Sequence, residues 1–96
     1  MPIVYCSFEL YLPYCHSIKE KRNVVRKVSN RLRSRFNFSV AEIGYQDIWQ
    51  RGLIGAVSIG SERHKLEHIA QKLVQEGERI LGGDLVRSEI DIVDLD

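Results

Sequence analysis

The sequence predicts an α+β fold: a ferredoxin-like βαββαβ sandwich, a four-stranded antiparallel sheet with two helices on one face. Three observations point there. Four short segments alternate apolar and polar residues with the period of a strand, and two longer ones repeat apolar residues at helical spacing. They succeed one another as strand, helix, strand, strand, helix, strand. The chain is 96 residues long, enough for one modest core and not two, so residues 1–96 read as a single domain.

Residues 3–12 read as the first strand, with Val4, Cys6, Phe8, Leu10 and Leu12 on one apolar face. Ile3, Tyr5, Ser7, Glu9 and Tyr11 form the other, mixed face. Pro13 has no amide to give a ladder and stops the strand. Ser17 then opens a helix through a capping box: its hydroxyl accepts from the Glu20 amide, and the Glu20 carboxylate reaches back to the Ser17 amide. Ile18, Val25, Val28, Ser29, Leu32 and Phe36 make the core stripe of this helix. Asn37, tolerant of left-handed backbone, suits its end.

Residues 38–43 and 53–59 read as the second and third strands. In the second, Phe38 and Val40 compete with Ala41 and Ile43 for the core side. In the third, Leu53, Val57 and Ile59 are expected inward, and Ile54, Ala56 and Ser58 outward. Gly44 and Gly52 bracket the connector between them. Ser61 is expected to cap a second helix reaching Leu81. Its buried stripe would be Leu66, Ile69, Ala70, Leu73, Val74, Ile80 and Leu81, with Gly77 weakening the last turns. Gly82 and Gly83 end it. In the tail, Val86, Ser88, Ile90 and Ile92 alternate with Arg87, Glu89 and Asp91 as a fourth strand.

Composition excludes several classes. With 44% hydrophobic and 28% charged residues the chain is ordinary for a folded globular domain rather than a disordered one. Its apolar runs are too short to span a bilayer and its N-terminus has no signal-peptide pattern, so a cytoplasmic protein is expected. Two cysteines, Cys6 and Cys15, do not make a disulfide framework. The net charge of +1 conceals an asymmetry. Residues 19–35 carry eight bases against Glu20, a sum of +7, and the remainder of the chain sums to −6.

Three segments follow one another in a specific pattern: HSIKEKR at 16–22, RFNFSVAE at 35–42 and QDIWQR at 46–51. In this the chain resembles, over nearly its whole length, the YlxP-like family of small bacterial proteins with a domain of unknown function. Ile18 and Ile48 stand where that pattern has leucines. The resemblance implies a ferredoxin-like fold and a cytoplasmic bacterial protein. Genes of the family often lie among transcription and translation factors, which leans toward RNA. The family has no established active site, so the resemblance brings no catalytic residues.

The basic helix is the first candidate site. Lys19, Arg22, Arg26, Asn30 and Arg33 run down one flank, and Lys27, Arg31 and Arg35 down the other. Like charges four residues apart cost about 0.2–0.5 kcal/mol per pair, so something must offset them. An RNA backbone would do so through its phosphates. The internal alternative is pairing with Glu67, Glu76, Glu78, Asp91, Asp94 and Asp96. The connector is the second candidate. It is either a recognition loop, with Trp49 for stacking and Gln46, Gln50 and Arg51 as donors, or a plug in which Trp49 is buried and Asp47 pairs with Arg51. The nucleic-acid residues are therefore Lys19, Arg22, Arg26, Arg33, Trp49 and Arg51, with RNA or a ribonucleoprotein as partner.

The open face of the sheet is a third candidate. Ile3, Tyr5, Tyr11 and Ile54 would associate with a second copy, since large apolar patches are seldom left uncovered. No catalytic signature, cofactor motif or metal-ligand spacing is present. His64 and His68 flank Glu67 without an HExxH pattern, and Cys15 and His16 adjoin without a third group to orient them. The expected protein is a non-enzymatic binding domain without cofactor or metal.

Overall fold

The computed structural model describes residues 1–95. Its elements are β1 (Pro2–Tyr11), α1 (Ile18–Arg35), β2 (Ser39–Gly44), β3 (Arg51–Ile59), α2 (Arg63–Leu81), a 3-10 turn (Gly82–Asp84) and β4 (Leu85–Asp94). The strands form one sheet in the order β2-β3-β1-β4, every neighbouring pair antiparallel. This is the ferredoxin-like sandwich the segment order predicts. The last residue of the expected fourth strand, Asp96, lies outside the described residues.

The core lies between one face of the sheet and the two helices. Val4, Cys6, Phe8 and Leu10 of β1 are fully buried, as its alternation requires, and so is Leu12 just beyond it. Both helices dock where small residues let them in. Gly77 sits against Phe8, and a Cβ there would collide with the Phe8 ring. This glycine therefore brings α2 close to β1. Val25, Val28, Ser29 and Leu32 are the buried stripe of α1, joined by Lys21.

Several expectations are corrected. The faces of β3 are reversed: Ile54 and Ala56 are buried, whereas Val57 and Ile59 are exposed. Pairing with β1 decides this, because Leu10, Phe8 and Cys6 stand opposite Gly52, Ile54 and Ala56, and directly opposed residues share a face. The small Gly52 and Ala56 leave room for a helix, and a Cβ at Gly52 would stand 3.8 Å from Val25 Cγ2. Ile54 therefore belongs to the core and leaves the proposed association face. In β2 the competition resolves toward Phe38 and Val40, both buried.

At the ends of elements, backbone bonds override local signals. The helix α2 begins at Arg63 with Glu62 as an N-cap whose side chain makes no capping bond, two residues beyond the Ser61 signal. Ile69 on this helix is exposed. The end of α1 is an extended Phe36 whose amide bonds to the Leu32 carbonyl, and the left-handed residue is Tyr45 rather than Asn37. A register shift between Glu9 and Leu10 puts Leu85 opposite Leu10. Val86 is thereby turned out to solvent.

Candidate nucleic-acid interface

The helix α1 begins as its capping box predicts, with one change. The Ser17 hydroxyl accepts from the Glu20 amide at 3.1 Å, but Glu20 Oε2 accepts from the amide of His16, at 2.8 Å, not from Ser17. From this fixed start the bases radiate in three directions.

Lys21 points inward. It is fully buried, on the core stripe between Ile18 and Val25. Its Nζ donates to the carbonyls of Tyr45 (2.5 Å) and Gln46 (3.1 Å) and lies 3.1 Å from Glu42 Oε2. That Glu42 oxygen is buried and has no hydrogen bond among the described residues. The contact is therefore one of charge, and the directional bonds go to the carbonyls. The ammonium holds Tyr45, at φ 58°, in a left-handed conformation uncommon for a bulky residue. Lys21, Glu42 and Gln46 belong to the three separate sequence motifs, and the fold brings them to one point.

The rest of the connector is tied down as well. The Gln46 side-chain amide donates to the Glu42 carbonyl, and that of Gln50 donates to the carbonyls of Pro13 and Cys15. Arg51 donates to Glu9 Oε2 at 2.9 Å and to the Tyr45 hydroxyl at 3.1 Å, and lies over the Tyr45 ring. Neither reading of the connector holds whole. Trp49 is 50% exposed, so it does not plug the core, and Arg51 pairs with Glu9 instead of Asp47. The Gln46 and Gln50 amides, read as recognition donors, face the protein's own backbone. The loop is braced from beneath and presents Trp49 and Ile48 outward, with His16 beside them.

The second direction is toward α2. Arg31 Nε (3.3 Å) and Arg35 Nη1 (3.1 Å) both reach Glu76 Oε2, and Arg79 donates to both Glu76 oxygens at 2.8 and 2.9 Å. Arg79's hydrogen bonds hold the Glu76 carboxyl down at about 2, against the opposing effect of its burial, with Arg31 and Arg35 assisting. Internal pairing thus ties two of the three bases of this flank of α1, Arg31 and Arg35, to a single acid, and among the described residues Lys27 makes no ion pair. Of the other acids expected to help, Glu67 and Asp94 pair with Arg63, and Asp96 lies outside the described residues.

The third direction is outward along β2. Arg22, Arg26 and Arg33, with Asn30 and Ser29, line an open groove between α1 and the edge strand, with Glu42 across it. Arg33 is anchored to Asn30 Oδ1 and the Val40 carbonyl. Among the described residues, Lys19, Arg22 and Arg26 make no ion pair. The Ser29 hydroxyl is buried beneath them, with no hydrogen-bond partner among the described residues. Of the six expected nucleic-acid residues, four therefore stand along one flank of α1. Trp49 lies by the start of that helix, and Arg51 is on the opposite face of the sheet.

Other candidate chemistry is placed as follows. Cys6 and Cys15 are buried free thiols. Burial raises the Cys6 thiol to about 11. Burial, then Glu20 and Asp84, raises Cys15, the reverse of nucleophile activation. Among the described residues no three His, Cys, Asp or Glu side chains converge as metal ligands, and no helix is long and apolar enough to cross a membrane.

Fold and groove together define a small ferredoxin-like α+β protein with a basic groove along its first helix. Residues 3–90 match the family described as "Protein of unknown function (DUF503)", and the chain belongs to that family. Over 58 residues it is 41% identical to the uncharacterized protein YlxP of Bacillus subtilis (strain 168), a match covering 60% of this chain and 63% of that protein. Among solved structures it is similar to the de novo designed protein Foldit4 (TM-score 0.57, 7% identity, covering 99% of this chain and 98% of the other). It is also similar to SnoaB, a cofactor-independent oxygenase from Streptomyces nogalater (TM-score 0.52, 9% identity, covering 99% and 93%). At such identities these two show the fold alone.

Proposed function

We propose that this protein is a non-enzymatic cytoplasmic binding domain whose partner is RNA or a ribonucleoprotein. Lys19, Arg22, Arg26 and Arg33 grip consecutive backbone phosphates along the outer flank of α1, and Trp49 adds a stacking face near the helix start. The observation that carries this reading is the unequal treatment of the two basic flanks. Arg31 and Arg35 are tied to Glu76, whereas Arg22 and Arg26 line an open groove without an ion pair among the described residues. Guanidinium forks match phosphate oxygens in pairs, which favours a phosphate partner over a diffuse acidic one. The test is to isolate the protein at low salt from its native host and sequence what nuclease treatment releases. Recovery of defined RNA, lost when Arg22→Glu and Arg26→Glu are combined, supports the reading. A nucleic-acid-free preparation at low salt contradicts it.

A second reading is favoured by the open sheet face. Ile3 stands opposite both Ile59 and Val93, and Tyr5 opposite Val57. Val57, Ile59 and Val93 are exposed, so an apolar strip crosses three strands. Two copies associating through this strip would cover it. Light scattering decides: a dimer that Val57→Lys with Ile59→Lys converts to monomer supports association, and a monomer at millimolar concentration contradicts it.

A further inference from the structure

The cluster around Glu76 holds more positive charge than it neutralises. Three guanidinium groups, from Arg31 and Arg35 of α1 and Arg79 of α2, meet one carboxylate whose side chain is only 10% exposed. That carboxylate accepts four bonds from them, three on Oε2. It is saturated, while each guanidinium carries five donors. Arg31 uses its Nε on Glu76, which leaves both of its terminal nitrogens for a second partner. The three arginine side chains are 51–58% exposed, so their remaining donors are open to a ligand. A recess of about 720 Å³ between the helices is lined by Arg31 and Arg79, together with Lys27, Asn30 and Ser34. Among the described residues Lys27 makes no ion pair, and Glu76 is the only acid in contact with any of these four bases. Four positive charges therefore surround one negative charge, at any pH where Glu76 stays ionised.

Three guanidinium groups on one carboxylate exceed what neutralising it requires. Held by a buried acid with their outer edges free, they are already oriented for an oxyanion. We propose that the α1–α2 recess is a phosphoryl-binding site, in which Glu76 orients Arg31 and Arg79 at its wall and Lys27 adds a third cation, while Arg35, held on the same carboxylate, is not one of the lining residues. The ligand is a phosphate mono- or diester carrying at least two accessible oxygens. It comes either from a small phosphorylated molecule or from an RNA backbone crossing α1 at Asn30, which borders both this recess and the Arg22–Arg26 groove. The bases of this site are not those of the proposed RNA-binding groove, so either can fail alone.

The test is calorimetric titration of the full chain with inorganic pyrophosphate at low salt, beside anisotropy of a labelled RNA. Arg79→Gln removes two of the bonds to Glu76 and is expected to weaken pyrophosphate at least tenfold. Lys27→Gln leaves the Glu76 cluster untouched, keeps the fold by circular dichroism, and is expected to weaken it severalfold. Lys65→Gln, on the first turn of α2, is the control. RNA affinity that falls in the same two variants, with pyrophosphate displacing RNA, identifies the backbone as the source. RNA affinity unchanged while pyrophosphate is lost identifies a small phosphorylated ligand. No pyrophosphate binding to the folded protein, or binding indifferent to both variants, overturns the proposal.

Discussion

Replacing Lys21 by methionine tests the joint at which the three motifs meet. The substitution keeps most of the apolar stem and removes the ammonium. Three contacts go with it: the carbonyls of Tyr45 and Gln46, and the Glu42 carboxylate at 3.1 Å. Removing one partner of a buried charge pair costs about 3–5 kcal/mol, because the other charge is left uncompensated. Glu42 is 17% exposed, so water recovers part of this and the expected cost is at the lower end, about 3 kcal/mol. In a domain of this size that lowers the Tm by roughly 12–24 °C. Adding Glu42→Gln removes the stranded charge and is expected to restore about 1 kcal/mol. Urea denaturation followed by circular dichroism reads the stability, and emission from Trp49, the only tryptophan, reads the loop. A loosened connector shifts that emission to the red. A Lys21→Met protein within 1 kcal/mol of wild type with unchanged Trp49 emission would refute the role of Lys21 as the brace.

Gly77→Ala sets two effects against each other. Alanine gains about 1 kcal/mol of helix propensity over glycine, but its methyl meets the rigid Phe8 ring, and overpacking costs about 1–3 kcal/mol. Net destabilisation is expected by thermal melting, and a stabilised variant would mean the helix can move away. The faces of β3 are tested by a pair: Ile54→Ala should cost about 2–5 kcal/mol, and Val57→Ala, on the exposed side, within about 0.5 kcal/mol. Acid reports on Glu76. Its folded pKa of about 2 lies below the ordinary 4.5, so its contribution is complete above pH 4.5 and is lost as the pH falls toward 2. The Tm difference between wild type and Glu76→Gln should therefore be constant above pH 5 and shrink below it. A difference that stays constant to pH 2 would contradict the assignment.

Fold class was legible because it rests on periodicity, and β1 shows this best: Val4, Cys6, Phe8 and Leu10 take every second position and all are fully buried. The third strand was not, because apolar residues occupy both of its faces. Ile54 and Val57 look alike in one dimension, and only the pairing of Gly52 and Ala56 with β1, beneath α1, separates them. The role of Lys21 had a signal that charge obscured. It falls three residues after Ile18 and four before Val25, on the core stripe, yet reads as one more member of a basic run. Glu76 falls likewise three residues after Leu73. The carbonyls of residues 45 and 46 and the arginines of α1 are set by tertiary contact and leave no local trace, and only Arg79, three residues after Glu76, is a local partner. Whether Trp49 is buried or exposed stayed open for a different reason. Its neighbours Gln46 and Gln50 fasten the loop through backbone carbonyls, so the loop is ordered without burying the indole.

The most direct test of the proposed RNA-binding role is the salt dependence of RNA affinity. Anisotropy of a labelled single-stranded RNA, measured from 25 to 200 mM salt, gives log K against log salt. Three to four phosphates held by Lys19, Arg22, Arg26 and Arg33 predict a slope of roughly −2 to −3. Combining Arg22→Glu with Arg26→Glu should abolish measurable binding while the circular dichroism spectrum is unchanged. No binding at 25 mM salt, or a slope and affinity that survive the double reversal, would contradict it.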